Sequence, residues 1–276
     1  MTYRIGVDIG GTFTDFALVD DATGHLIVHK QLTTPTDPSK SVLSGIITML
    51  EENSIPITEI SAIAHGTTLV TNAVVERRGA TTGMLVTAGF KDALDIAMER
   101  RFDLFDLRLE FAEPVVPRRM RVEISERNLF DGSTESHLDE TEVEAAVESL
   151  IERYDIQALA ICFLHSYVDN THEKHAKELI LTKFPHLSVS ASSEVLPFMR
   201  EYERWSTTTI NAYVQPLTDL YLGNLESGLQ ELGFSGRLLI MTSSGGMVTT
   251  DIARTFPVRL IESGPAAGAL MAAFLG

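Results

Sequence analysis

From the third residue onward the apolar positions alternate. Ile5, Val7 and Ile9 fall on one side of an extended segment, Gly10 and Gly11 turn the chain, and Phe13 to Val19 resumes the alternation. A further turn at "DDATGH" leads into "LIVHK", so the opening predicts a meander of strands. The period then changes. After the Pro- and Thr-rich "TTPTDPSK", Val42, Leu43, Ile46, Ile47 and Leu50 recur at helical spacing and predict an amphipathic helix. Strand-like "ISAIAHG", a helix from about Leu69 to Arg78, strand-like "TTGMLVT" and a helix near Phe90 to Ile96 follow. Alternation of this kind predicts an α/β layer fold.

Residues 98–137 break the rhythm with mixed charge, aromatics and prolines, and read as an irregular excursion carrying one or two edge strands. The pattern resumes at "LDETEVEAAVESLIERY", whose acidic first turn and apolar stripe predict a helix. A buried strand "ALAICFL" and a helix from about Thr171 come next. A boundary is expected near Pro185, dividing the chain into 1–186 and 187–276. Beyond it lie "LSVSASSEV", a long helix from about Glu201 to Leu232 interrupted at Pro216, the strand "RLLIMTS" and a small-residue helix in "ESGPAAGALMAAFLG".

Composition narrows the function classes. With 22 basic against 38 acidic residues the formal charge is −16, which repels nucleic acid and anionic membrane. No apolar run is long enough to cross a bilayer, and the first residues carry no signal-peptide pattern, so a cytoplasmic location is expected. The single cysteine, Cys162 in "ALAICFL", reads as a buried, inert thiol. A small phosphate ligand remains compatible with this charge, because backbone amides and a divalent cation hold it whatever the net charge.

Such a site is legible at the end of the first strand, in "VDIGGTFTD". Asp8 ends the strand, Gly10 and Gly11 allow close backbone approach, and exposed amides join the Thr12 and Thr14 hydroxyls to make an anion cradle. Asp8 and Asp15 flank it and suit a hydrated Mg²⁺ bridging phosphate oxygens. The alternative is a plain hairpin turn. "HGTTLVTNAVVERRGA" places His65, Thr67, Thr68 and Asn72 at a strand end and the start of a helix, as a site wall or as threonine capping with a structural histidine. Arg77 and Arg78 read as partners for a substrate carboxylate or as a solvated helix end. "TSSGGM", with Gly245 and Gly246, walls a nucleotide or is only a turn. "REYERWSTTTINAYVQP" reads as ion-paired helix packing or as part of a site, and the His172 and His175 pair in "HEKH" as solvated surface.

"VDIGGTFTDFALVD" resembles the first phosphate loop of the actin-like, sugar-kinase and chaperone ATPases. In detail it is similar to the hydantoinase A/oxoprolinase family, as are "AHGTTLVTNAVVERRGATTGMLVTAGFKD", "SSEVLPFMREYERWSTTTINAYVQP", "TSSGGM" and "ESGPAAGALMAA". The resemblance implies an actin-like, ribonuclease H-like α/β lobe with a mixed sheet and flanking helices. It implies ATP and Mg²⁺, with Gly10, Gly11, Thr12, Thr14, Gly245 and Gly246 toward the nucleotide, Asp8 and Asp15 toward the metal, and Asp8, Asp15 and His65 in catalysis. Thr67, Thr68 and Asn72 fall to a cyclic amide of hydantoin or 5-oxoproline type, opened after phosphorylation of its carbonyl oxygen, and a hydantoinase B-type subunit is the expected partner. In the family a second "D-x-G-G-T" turn follows the closing helix, so the chain resembles the N-terminal portion of a longer protein whose C-terminal lobe is missing. It is expected to bind ATP weakly alone. The alternatives are a ketone carboxylase subunit and a non-catalytic binding or assembly lobe.

Overall fold

The first strands form because one face of each finds a helix to bury against. In a computed structural model, which describes residues 2–98, 103 and 105–275, β1 (Tyr3–Ile9), β2 (Phe13–Asp20) and β3 (Leu26–Leu32) make the expected antiparallel meander. α1 (Pro38–Glu52) starts with Pro38 at its first turn and the Asp37 carboxylate accepting from the Ser39 amide. Its Val42, Ile46 and Met49 are buried, as are Ile5, Val7, Phe16 and Leu18. Gly45 lies where a Cβ would sit 2.2 Å from the Phe16 ring. A helical glycine costs about 1 kcal/mol, and each large apolar side chain buried at this contact contributes about 1.5–3 kcal/mol, so close approach wins. β4 (Ile60–Thr67) then runs parallel to β1, and α2 (Leu69–Val75) follows at once.

Residues 79–216 form a separate compact unit. Its sheet is built from β5 (Thr82–Thr87) and, after α3 (Ala93–Ile96), β6 (Arg121–Ile124). The small hairpin β7 (Arg127–Asn128) and β8 (Thr134–Ser136) leads to α4 (Glu140–Tyr154). β9 (Ala158–Cys162), α5 (Thr171–Lys183), β10 (Ser188–Ala191) and α6 (Ser192–Val195) complete it, with the first half of α7 (Glu201–Glu231). All pairs in this four-stranded sheet are parallel, in the order β10-β9-β5-β6. Of the excursion read over 98–137, the described part carries β6 at the sheet's edge and the β7–β8 pair apart from it, while residues 99–102 and 104 lie outside the described residues.

α7 corrects one expectation. Pro216 lies inside the helix without interrupting it. Proline deletes one amide donor and crowds the preceding turn, but the turns on either side are anchored by buried Trp205, Val214, Leu222 and Leu225.

The chain then returns to its beginning. β11 (Arg237–Met241) pairs parallel to β4, β12 (Met247–Thr249) turns back on it, and α8 (Thr250–Thr255) and α9 (Ser263–Leu275) follow. The resulting six-stranded mixed sheet, ordered β12-β11-β4-β1-β2-β3, has the actin-like, ribonuclease H-like arrangement. Residues 1–78 and 217–276 form one unit because β4 takes its outer neighbour from β11.

One surface assignment is also revised. His172 is buried, its Nδ1 2.7 Å from the Glu126 carboxylate, and only His175 of the pair is exposed. The apolar interior around His172 disfavours the charged Glu126, whose carboxyl is pushed above its ordinary range. Arg204 is likewise fully buried, donating to Ser192 Oγ and to the carbonyls of Phe198 and Phe163, while Glu173 accepts from the Phe163 and Ser193 amides and from Ser192. The ion-paired packing read from "REYERW" is present, with Arg200 3.7 Å from Glu203 and Arg204 3.8 Å from Glu201, and Arg204 adds these buried hydrogen bonds to it. Cys162 is buried as expected, and burial pushes its thiol well up.

Candidate functional site

Alternation along the meander decides which side chains meet. Ile5, Val7 and Ile9 face the core, so Gly6 and Asp8 face the other way. The register then sets up one row across four strands: Gly66 beside Asp8, Asp8 opposite Asp15, Asp15 opposite Lys30. Lys30 Nζ donates to Asp15 Oδ1 at 2.8 Å and lies 4.8 Å from the Phe13 ring centroid. A Cβ at Gly66 would stand 3.1 Å from Asp8 Oδ1, so the missing side chain is what lets that carboxylate lie over β4. Partial burial, and then the like charge of Asp15, hold the Asp8 carboxyl above its ordinary range.

The loop between the strands is a turn braced from outside. The Gly10 amide donates to the Phe13 carbonyl at 2.9 Å and is used up in the turn. Among the described residues the Gly11 and Thr12 amides have no partner, so they are the donors left for an anion. Thr33 holds the loop, its amide donating to Thr12 O and its hydroxyl to Gly10 O. Thr14 is turned inward instead. Its hydroxyl lies 3.0 Å from Thr33 Oγ1 and 3.4 Å from Ser41 Oγ, with no exposed surface, so it supports the loop and does not line its open side.

The other singled-out residues divide in the same way. β1, β4 and β11 are parallel, so Gly10–Thr12, Thr67–Asn72 and the turn Thr242–Gly246 all leave the same, carboxyl, end of the sheet, where open α/β sheets bind ligands. Thr68 donates from both amide and hydroxyl to the Ile9 carbonyl, and Asn72 Nδ2 reaches Thr68 Oγ1 at 3.3 Å, beside Gly11. Thr67 is buried and caps the Leu69 amide, and its carbonyl accepts from Ser263 at the start of α9. Gly245 has φ +81° in a tight turn closed by the Thr242 amide and hydroxyl on the Gly246 carbonyl.

His65 stands on the core face with Val7, away from Asp8. Its Nε2 is 2.7 Å from the Tyr221 hydroxyl. Burial lowers its pKa to about 4, opposed weakly by the nearby Val7 backbone, with which Nδ1 completes no hydrogen bond. It is therefore neutral near pH 7 and is placed to position β4 against α7.

Two cavities adjoin the loop. The larger, about 770 Å³, lies between the Asp8 face of the sheet and α9, lined by Gly6, Asp8, Asp15, Gly66, Ala267 and Met271. The smaller, about 350 Å³, takes Gly10, Gly11, Thr68 and Asn72 into its wall with Glu76 and Arg78 at its rim. Among the described residues no third histidine, cysteine or carboxylate joins Asp8 and Asp15 in a metal-binding group. Two carboxylates fit a hydrated Mg²⁺ that takes its remaining oxygens from water and phosphate, and do not make an all-protein cage. Sequence reasoning missed Thr33 and Lys30, because only the fold brings the Pro/Thr loop and the third strand to the cradle.

Comparison with known proteins gives the family and the fold. A profile of the hydantoinase/oxoprolinase N-terminal region matches residues 4–184, and one of the hydantoinase/oxoprolinase region matches residues 204–276. The chain is 39% identical over 277 residues to an uncharacterised protein of Methanocaldococcus jannaschii, covering 99% of this chain and 40% of that one. It is 35% identical to the caprolactamase subunit alpha of Pseudomonas jessenii, covering 96% and 38%. To 5-oxoprolinase 1 of Arabidopsis thaliana it is 31% identical, covering 96% and 23%. The crystal structure of ATP-dependent caprolactamase superposes with a TM-score of 0.87 at 33% identity over 99% of this chain and 41% of that one. Nucleotide-free acetone carboxylase gives a TM-score of 0.87 at 25% identity over 99% and 40%. The chain thus spans about two fifths or less of the length of these relatives. Matched by its profiles over both halves and carrying the acid-flanked glycine loop at a sheet end, the chain belongs to the hydantoinase/oxoprolinase family.

Proposed function

We propose that this chain is the nucleotide-binding lobe of a cytoplasmic ATP-dependent enzyme that opens cyclic amides of the hydantoin or 5-oxoproline type. The observation that carries the reading is the row Gly66, Asp8, Asp15, Lys30 beside the free Gly11 and Thr12 amides. Asp8 and Asp15 would hold Mg²⁺ through its waters, Gly11 and Thr12 would cradle phosphate oxygens, and Lys30 would add a cation beside Asp15. ATP would supply the phosphoryl group that turns an amide carbonyl oxygen into a leaving group. The lobe contributes positioning and charge neutralisation, the two demands of phosphoryl transfer. Asn72 and Thr68, which line the smaller cavity with Gly11, would orient the ring. Thr14 and His65 act one step back, fixing Thr33 and β4. Gly245 and Gly246 would wall the nucleotide at the same sheet end.

The open face of the meander exposes Leu26, Val28 and Leu32. Such a face suits the C-terminal lobe of the longer relatives, and a B-type subunit is the expected further partner, supported by the alpha-subunit name of caprolactamase. A second reading, a ketone carboxylase subunit, is supported by the fit to acetone carboxylase. Calorimetry of the chain with ATP, with and without Mg²⁺, tests the first step. Magnesium-dependent binding abolished in Asp8→Asn is expected, and its absence in the chain completed by its C-terminal lobe sinks the proposal and leaves a non-catalytic lobe. Release of ADP stimulated by hydantoins or lactams, rather than by ketones with bicarbonate, decides between the two enzymes.

A further inference from the structure

The unit formed by residues 79–216 has a ligand-binding geometry of its own. Its parallel sheet runs β10-β9-β5-β6, so the chain goes outward from β5 to β6 and then returns to the other side with β9 and β10. The order reverses between β5 and β9, and crevices outside the carboxyl ends at such a reversal are where open α/β sheets take ligands. Phe90 follows β5 there, Arg127 follows β6, and His165 follows β9.

Arg127 is the anomaly. Its guanidinium lies 5.0 Å from the Phe90 ring centroid, and its Nε is shut from solvent without an acceptor. Its backbone pairs with β8, but among the described residues its side chain makes no hydrogen bond or ion pair. The two fully buried arginines of the same unit are treated otherwise: Arg121 binds Asp95 and the Val116 carbonyl, and Arg204 has its carbonyls and Ser192. A donor of a charged group shut from solvent without an acceptor carries an uncompensated desolvation cost, which a bound anion removes. His165 stands close enough for Arg127, Arg204 and Glu201 all to act on its imidazole, in the left-handed region at φ +55°. Strained backbone of this kind gathers at ligand sites, and Ala97 (φ +52°) and Arg200 (φ +89°) show it beside a cavity of about 450 Å³ that opens on Phe90 and Glu201.

We infer that Arg127, stacked on Phe90 with His165 beside it, anchors a second ligand site that takes a small planar monoanion, a carboxylate or bicarbonate. A guanidinium fork matches two coplanar oxygens of one group. The surroundings select the charge. Glu201, which acts on the same His165 imidazole as Arg127, leaves room for one negative charge and disfavours a phosphate dianion.

The chain's single tryptophan reports on the site. Trp205 is fully buried and meets Phe90 edge-on, with centroids 6.5 Å apart at 86°. Its fluorescence is followed while acetate, bicarbonate or inorganic phosphate is added at constant pH and ionic strength, with the ¹⁵N shift of Arg127 Nε as the second readout. Saturable binding of acetate or bicarbonate with a Kd of about 1–10 mM is expected, the two arms telling an organic carboxylate from bicarbonate. Arg127→Gln raises the Kd at least tenfold, Arg127→Lys weakens it less, and Arg153→Gln on the exposed face of α4 leaves it unchanged. Should Arg127→Gln fail to fold, the lysine variant decides. Silence of both readouts, unchanged affinity in the Arg127 variants, or phosphate binding as tightly as acetate overturns the assignment.

Discussion

Asp8 and Asp15 are direct register partners on adjacent antiparallel strands, two carboxylates presented side by side on one face. Opposed like charges weaken a strand pair, and the single ion pair to Lys30 relieves only Asp15. The pairing costs the fold something that the proposed cation would return.

Asp8→Asn should therefore separate stability from binding. The folded pKa of Asp8 lies above its unfolded value, so its ionised form destabilises the fold once pH exceeds that range. Removing the charge is expected to raise Tm at pH 7 by about 1–3 °C while weakening Mg²⁺-dependent ATP binding at least tenfold. Calorimetric scanning and titration of the same sample check both.

The same shift sets a pH profile. Nucleotide binding through the metal requires Asp8 ionised, so affinity should fall with acidification at a higher pH than an ordinary carboxylate dictates. A wild-type profile matching that of an unperturbed aspartate would contradict the geometry.

Gly66→Ala addresses positioning alone. The new methyl would meet Asp8 Oδ1 at 3.1 Å and push the carboxylate off its place over β4. ATP affinity with Mg²⁺ is expected to fall about 3–10-fold, with Tm changed by less than about 3 °C, since the displaced group is already open to solvent.

His65 gives a test of opposite sign. Its folded pKa of about 4 lies below the ordinary 6.5, so its contribution is complete above pH 6.5 and is lost as pH falls toward 4. Urea midpoints should drop over that window by the equivalent of about 1–3 kcal/mol, and Tyr221→Phe, which strips the Nε2 contact, should cost about 1–2 kcal/mol at pH 7.

In the other unit, His172→Ala leaves Glu126 buried with only Thr87 as a side-chain partner. A loss of about 2–4 kcal/mol is expected, read as a fall in Tm. An unchanged Tm would mean that the pair is solvated.

Much of this was legible in the pattern of residues. The period-2 run Ile5, Val7, Ile9 fixed which face Asp8 takes, and the two glycines and flanking acids pointed to the cradle. The inward turn of Thr14 was equally implied by its place between Phe13 and Asp15, but a hydroxyl in a motif invites a ligand role until its partners Thr33 and Ser41 are seen. His172 and Arg204 could not be read, because their burial depends on Glu126 and Phe163, which lie 46 and 41 residues away. Pro216 misled for a related reason: a local rule about helix breaking was overridden by packing along α7.

The return of β11 to the edge of β4 has a temporal consequence. Roughly 170 residues separate Thr67 from Arg237, about 10–30 s of synthesis at ribosomal speed. Throughout that interval β4 has an unpaired flank, while the stretch from Gly79 to Pro216 already contains every strand its own sheet uses. The nascent polypeptide is thus built to finish its inner insert first and to close the six-stranded sheet last, with β4 exposed to unwanted strand pairing until it does.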